Sequence, residues 1–253
     1  MVWVVVIFFS EPKKRYYLKY GYFFALIFLV FELILIFLIF PIMNMGSVFM
    51  FLMIVLNTLK IIVFTVVGMF MAGKLGVKSI PLTRQLFSRS GKKYIKNLNN
   101  YVITLVVSVI LVVGYSIVLF KLTHPHISEF ISDLGFGSQG SDIEQQVTLT
   151  TVIAMAEIAF AEEIMFRHGI QNVLANIIRS KNNYFIAIIL TSLFWSLMHI
   201  LSLDPAWVKL VQIFPIGILL GFLYKKYGFE ICVLVHALFN IIVSLIAEGL
   251  VEY

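Results

Sequence analysis

Long apolar segments dominate this sequence and constrain its fold more than any other feature. A membrane-spanning helix needs about 20 mostly apolar residues. Seven segments have that character: 20–43, 47–72, 100–120, 147–167, 183–203, 207–224 and 230–247. The sequence therefore predicts an all-α, polytopic transmembrane helix bundle with about seven spans.

The composition excludes a soluble globular protein. Hydrophobic residues make up 61% of the chain and charged residues 13%, whereas soluble domains average roughly 45–50% and about 25%. The lone Cys232 excludes a disulfide framework and a cysteine-based zinc site. The net charge of +6 is better explained by loops on an anionic lipid leaflet than by nucleic acid. We therefore expect the lipid bilayer as a partner, and no nucleic acid.

The distribution of basic residues predicts the orientation. With a cytoplasmic N-terminus, four segments face the cytoplasm and hold 4, 7, 2 and 2 of the 19 Lys and Arg residues. These segments are 1–19, 73–99, 168–182 and 225–229. Basic residues favour the cytoplasmic side, so we predict a multi-pass protein of the cell membrane. The polar segment 73–100 is predicted to be cytosolic, and the short apolar segment 1–9 to be interfacial or re-entrant.

Charged residues within spans indicate either structural pairs or functional sites. Glu32 and Lys60 are predicted at similar depths in the first two helices, where a structural ion pair is favoured over a transport role. The span 147–167 carries Glu157, Glu162 and Glu163, too many carboxylates for packing alone.

Two of these carboxylates differ in their expected partners. Glu163 and Arg167 are four residues apart and share a helix face, so they are predicted to pair. Glu162 points away from that pair and is left free, which suits a general base.

Two other spans supply matching polar residues. His199 lies in the fifth predicted span, and His236 and Asn240 share one face of the seventh. A Glu and a His can activate water, while His and Asn can donate hydrogen bonds to an oxyanion. Together they form a hydrolytic constellation whose natural target is a peptide bond. Because His236 is predicted at a different depth, we expect residues 171–180 to project below the membrane.

These residues resemble the signatures of the CPBP family of intramembrane proteases, which includes CAAX prenyl endopeptidases and bacterial bacteriocin-processing and immunity proteins. Its motif Glu-Glu-x3-Arg corresponds to residues 162–167, Phe-x3-His to 195–199 and His-x3-Asn to 236–240. The spacing of Gly217 and Gly221 is also similar, since small residues let helices approach closely.

The resemblance divides the single membrane domain, residues 1–253, into N-terminal helices and loops (1–146) and a catalytic core (147–247). Three departures stand out in the core: His168 displaces the Gly that usually follows the motif Arg, Glu157 is an extra carboxylate, and Trp195 replaces Phe. The Trp is expected to keep the packing function of the Phe.

The resemblance implies an intramembrane endopeptidase. Glu162 and His199 would activate water, and His236 and Asn240 would stabilise the oxyanion, with Glu163, Arg167 and Trp195 in support. A set of one Glu and two His side chains would also suit Zn²⁺ or another divalent metal. The chain lacks a His-Glu-x-x-His helix, so we favour metal-independent hydrolysis and leave a metal site of Glu162, His199 and His236 open.

Two other functions compete with peptide hydrolysis. A non-catalytic membrane immunity or scaffold protein of the same fold has no need to keep the four catalytic candidates together. A transporter is disfavoured because no repeat symmetry or paired broken helices are visible. The substrate is expected to be a small peptide or a lipid-modified precursor, and the short loops and small size favour a bacterial protein.

Overall fold

The computed structural model describes residues 12–39, 47–86, 98–128 and 149–246. The predicted interfacial segment 1–9 lies outside the described residues. The α-helices are α1 (Pro12–Ile39), α2 (Ser47–Lys74), α3 (Pro81–Leu86), α4 (Leu98–Thr123), α5 (Leu149–Glu163), α6 (Gln171–Ile177), α7 (Asn183–Met198), α8 (Ala206–Tyr227) and α9 (Phe229–Ile246). A π-helix (Ile164–Ile170) joins α5 to α6, and a 3₁₀ helix (Ile200–Ser202) follows α7. The predicted all-α membrane bundle is confirmed.

Six of the described helices are long and apolar enough to cross a membrane, namely α1, α2, α4, α7, α8 and α9. The described part of the predicted span 147–167 is helical but is not among the six. Its α-helix has 15 residues and ends at Glu163, where the π-helix begins. Glu162 and Glu163 therefore lie where the α-helix gives way to the π-helix.

The segment from α5 through the π-helix to α6 is the centre of the bundle. α5 packs against α1 and α9, the π-helix packs against α2, and α6 packs against α2 and α7. In the π-helix each backbone N–H reaches a carbonyl five residues back, and the N–H of Gln171 still bonds to Phe166 in this way. Such a widened turn often occurs at functional sites.

Glycines allow the helices around this segment to approach closely. A Cβ on Gly68 of α2 would clash with the backbone oxygen of His168. Between α7 and α8, a Cβ on Gly217 would lie 2.9 Å from Ser192, and one on Gly221 would lie 2.7 Å from Ile188. The predicted close approach at the last two glycines is thus observed.

Two polar segments pack partly inside the protein. In the segment 171–180, predicted to project below the membrane, Gln171 and Asn172 are fully buried against neighbouring helices. The segment 73–100, predicted to be cytosolic, also contains a buried residue. Ser79 is fully buried, and its carbonyl accepts the backbone N–H of Phe229 at 2.6 Å.

At the other end of the bundle, a short antiparallel strand pair follows α4 and precedes α8. β1 (His126–Ile127) pairs with β2 (Leu203–Asp204). Within α8, Pro215 lacks an N–H for the carbonyl of Val211. The hydroxyl of Tyr115 on α4 donates to that carbonyl at 2.6 Å, which ties α4 to α8 where the helix would otherwise lose a bond.

Candidate active site

The carboxylate of Glu162 lies at the meeting point of three helices. Its Oε2 accepts the indole N–H of Trp195 at 2.7 Å, and its Oε1 lies 3.4 Å from Nε2 of His199. Nε2 of His236 lies 3.9 Å from Oε2. Glu162 does point away from the Glu163–Arg167 pair, but the prediction that it is left free is wrong, because helices α7 and α9 supply these partners.

The protonation of the two histidine rings follows from what their other nitrogens contact. Nδ1 of His199 lies 2.8 Å from the carbonyl oxygen of Trp195, and a carbonyl can only accept, so this nitrogen carries the proton. Nδ1 of His236 lies 3.0 Å from Oε1 of Glu163 and donates to that carboxylate. In both rings Nε2 is therefore the atom that faces Glu162 and is available for chemistry.

Glu163 is fully buried and has two partners. Its Oε2 lies 3.5 Å from Nε of Arg167, as the four-residue spacing predicts. Its Oε1 accepts a hydrogen bond from the Nδ1–H of His236, a contact that the sequence did not indicate. The carboxylate thus orients His236 of α9 and also balances the charge of the buried Arg167 guanidinium.

Trp195 does more than the packing that the sequence predicts. The side chain is fully buried, and its indole ring lies 4.7 Å from the guanidinium carbon of Arg167. The ring also meets His199 and His236 edge-on, with centroid distances of 5.5 and 5.2 Å. Its N–H donates to Glu162, which a Phe at this position could not do.

Exposure separates the members of this cluster. The side chains of His199 and Glu162 are 27% and 20% exposed, whereas those of Glu163 and Arg167 are fully buried. His236 is 3% exposed. The pair Glu162–His199 is therefore the accessible part of the cluster, while the remaining members lie behind it.

Asn240 lies one helical turn beyond His236 on α9 and is half-buried. Its amide makes no hydrogen bond with the rest of the described chain. The shared helix face predicted for the two residues follows from the regular geometry of α9. The amide is therefore free to donate to a ligand.

A second buried polar cluster lies beside the site and was not predicted. His168 contacts the Tyr224 hydroxyl at 2.9 Å and the carbonyl of Thr65 at 3.1 Å. Asn172 donates to the same hydroxyl at 2.6 Å and accepts from Tyr184 at 3.1 Å. These bonds tie the π-helix and α6 to α2, α7 and α8. The signal in the sequence was the polar run His168, Gln171, Asn172 inside an apolar segment.

Lys209 is another residue whose position the sequence did not reveal. Its ammonium donates to the Gln212 side chain at 3.1 Å, and Gln212 in turn donates to Ser116 at 3.1 Å. Lys209 is close enough to Glu162 and His199 to interact electrostatically with both. A basic side chain thus lies within electrostatic range of the carboxylate of the site.

The charged residues predicted in the first two helices form a separate cluster. Lys60 donates to Asn57 at 3.0 Å, and Asn57 approaches Glu32 at 3.5 Å. The predicted direct pair is therefore bridged by an amide. Glu157 of α5 lies close enough to Glu32 and Lys60 to interact electrostatically with both, so the extra carboxylate of the span belongs to this cluster and not to the site around Glu162.

The donor set near Glu162 can be compared with a metal site. Within the described ranges, no group of three or more His, Cys, Asp or Glu side chains is arranged to hold a metal ion. The Oε2 atom that lies nearer to His236 already accepts the N–H of Trp195.

Comparison with known proteins identifies the segment that contains this site. The family model described as Rce1-like, type II CAAX prenyl endopeptidase, matches residues 144–242. Over 64 residues the chain is 41% identical to the sporulation-killing factor biosynthesis protein SkfC of Bacillus subtilis (strain 168), a match that covers 24% of this chain and 13% of that protein. No solved structure matches the chain.

The three motifs recognised in the sequence all lie inside the matched segment. The predicted resemblance to the CPBP proteases is therefore confirmed, and residues 144–242 of this multi-pass membrane protein are similar to the Rce1-like type II CAAX prenyl endopeptidases.

Proposed function

We propose that this protein is an intramembrane endopeptidase that hydrolyses a peptide bond in a small peptide or a lipid-modified precursor. The observation that carries the proposal is the pair formed by Glu162 and His199. Their Oε1 and Nε2 atoms are 3.4 Å apart, and both side chains are partly exposed in an otherwise buried polar cluster. Both atoms can accept a hydrogen bond from the same water molecule.

In the proposed reaction this water is the nucleophile. Glu162 takes one proton from it while the water oxygen forms a bond to the carbonyl carbon of the substrate, and His199 holds the second proton in a hydrogen bond. The carbonyl oxygen becomes an oxyanion. The proton on Glu162 then passes to the amide nitrogen, the C–N bond breaks, and a carboxyl terminus and an amine are released.

We assign the stabilisation of this oxyanion to His236 and Asn240. His236 donates its Nδ1 proton to Glu163, and a carboxylate in that position stabilises a protonated ring, as in other acid-histidine pairs. A protonated ring presents an Nε2–H donor. Asn240, one turn farther along α9 and without a partner among the described residues, supplies the second donor. Such donors act mainly on charge that develops in the transition state.

We favour hydrolysis without a metal ion. The Trp195 N–H already occupies Oε2 of Glu162 at 2.7 Å, and the positive charge of Lys209 lies within electrostatic range of the same carboxylate. A zinc-dependent reaction would use Glu162, His199 and His236 as ligands. It would be stopped by a chelator, whereas the reaction proposed here would continue.

The comparisons support a peptide substrate. One relative is named for the biosynthesis of a sporulation-killing factor, and the matched family is described as a type II CAAX prenyl endopeptidase. A bacterial precursor peptide that reaches the site from the bilayer is consistent with both descriptions. The lipid bilayer and this precursor are the partners that we propose.

Comparative peptidomics tests this function. Cells that express the wild-type protein and cells that express Glu162→Gln at the same level in the membrane are compared for peptides that depend on the protein. We expect cleavage products in the first sample and the uncut precursor in the second. Identical peptide profiles from the two samples would instead support a non-catalytic immunity or scaffold function.

A further inference from the structure

Trp195 contacts both members of the proposed water-activating pair. Through its indole N–H it donates to Oε2 of Glu162 at 2.7 Å. Through its backbone carbonyl it accepts the Nδ1 proton of His199 at 2.8 Å. Trp195 on α7 thus contacts the carboxylate of Glu162. It also fixes the tautomer of His199, which lies one helical turn farther along the chain.

We propose that the Trp195 indole N–H is a positioning group that turns Glu162 so that Oε1, and not Oε2, faces the nucleophilic water. The proposal rests on the function proposed above. A Glu side chain has several rotatable bonds, and its terminal torsion is soft. A donor on one oxygen removes that freedom and leaves the other oxygen 3.4 Å from Nε2 of His199.

The surroundings of the indole show that it is itself held in place. The side chain is fully buried, the guanidinium of Arg167 lies 4.7 Å from its ring, and the ring of His236 packs edge-on at 5.2 Å. A Cβ on Gly217 of α8 would lie 3.1 Å from the indole. The N–H direction is therefore set by packing, as a positioning group requires.

The same geometry separates donation from packing. Phe, the residue expected at this place in the motif, could fill much of the ring volume but has no N–H to donate. The backbone carbonyl of residue 195 is unaffected by a side-chain change, so His199 keeps its own contact. A Trp195→Phe variant therefore tests the hydrogen bond to Glu162 with little else altered in the pair.

The test measures peptide cleavage by purified variants in detergent. A hydrogen bond to a charged group is worth about a 10- to 100-fold change in an equilibrium, so we expect Trp195→Phe to lower kcat by about that factor while KM changes by less than about twofold. Trp207→Phe is the matched control. Trp207 is 51% exposed on the first turn of α8, and the loss of its N–H should leave kcat unchanged.

A second variant keeps the proposal testable if Phe disturbs the packing. Replacement of Trp195 by benzothienylalanine exchanges the indole N–H for sulfur and preserves the bicyclic shape. We expect the same loss of kcat as in Trp195→Phe, with a thermal unfolding midpoint close to that of the wild type. Wild-type kcat in the benzothienylalanine protein would overturn the proposal and leave Trp195 with a packing function alone.

The outcomes also separate this inference from the proposed function. If the wild-type protein cleaves its peptide and Glu162→Gln does not, the function stands whatever the Trp195 variants do. If Glu162→Gln cleaves as fast as the wild type, the proposed function fails, and positioning of Glu162 for catalysis fails with it.

Discussion

Nδ1 of His236 lies 3.0 Å from Oε1 of Glu163, although the two residues are 73 positions apart in the chain. The other oxygen of this carboxylate faces Arg167. Glu163 therefore connects Arg167 of the π-helix to α9. It also fixes the orientation of the His236 ring, which we propose stabilises the oxyanion. Its neighbour Glu162 faces the accessible side of the same cluster, so adjacent glutamates have different surroundings and are expected to respond differently to substitution.

The substitution Glu163→Gln should impair folding as well as activity. The amide keeps the volume of the carboxylate, but it leaves the buried guanidinium of Arg167 without a counter-charge. Breaking a buried pair in this way costs about 3 kcal/mol or more. Thermal unfolding in detergent should show a lower midpoint and a lower yield of folded protein. The matched control is Glu162→Gln, which is expected to fold like the wild type; the reverse pattern would mean that the two assignments are exchanged.

Glycine substitutions should distinguish close helix contacts from open positions. In Gly221→Ala the new Cβ would lie 2.7 Å from Ile188 and 2.9 Å from Gln171, so overpacking should destabilise the protein by about 1–3 kcal/mol. Gly114, inside α4, has nothing within 4 Å of such a Cβ. Gly114→Ala should therefore be neutral or stabilise by up to about 1 kcal/mol. Equal unfolding midpoints for the two variants would contradict the close packing of α7 on α8.

Cysteine labelling in intact cells and in inside-out membrane vesicles tests the orientation that the basic residues predict. A Cys at position 92 should react with a membrane-impermeant reagent only from the cytoplasmic side, and a Cys at position 141 only from the outside. The native Cys232 is fully buried and free, so it should give little background. Labelling of Lys92→Cys and Ser141→Cys from the same side would refute the predicted topology.

The substitution Asn240→Ala should lower kcat and leave KM nearly unchanged. An oxyanion donor acts on charge that appears only in the transition state, and the loss of one such donor costs about 10² to 10³ in rate. Asn240→Asp should be at least as damaging, because a carboxylate repels the oxyanion. Steady-state kinetics on a fluorogenic peptide measures both constants. A normal kcat with a raised KM would make Asn240 a substrate-binding residue.

The combination of Asn240→Ala with His236→Ala gives a further check on the same assignment. Residues that act as a unit are not additive, so the double variant should be less impaired than the product of the two single losses. Fully multiplicative losses would indicate that the two side chains act independently.

Local features of the bundle were predictable from the sequence. Apolar segments of spanning length gave the helices because the bilayer requires them, and the ion pair between Glu163 and Arg167 followed from a spacing of four residues. The small residues Gly217 and Gly221 indicated a close contact that the structure contains. Each of these inferences depends on neighbours within one helix or on residue size, which a single sequence displays directly.

Contacts between distant helices were not predictable in the same way. The bond from Trp195 to Glu162 and the bond from His236 to Glu163 depend on how each helix is rotated about its axis. The π-helix changes that rotation for every residue after Glu163.

The most direct test of the central claim is the cleavage rate of purified wild-type and Glu162→Gln protein, each with and without a metal chelator. The account predicts that the wild type cleaves equally fast in both conditions. It predicts that Glu162→Gln is slower by about 10² to 10⁴, the usual contribution of a general base. Wild-type activity that disappears with chelator and returns with zinc would contradict metal-independent hydrolysis, and a Glu162→Gln protein that cleaves at the wild-type rate would contradict the assignment of Glu162 as the base.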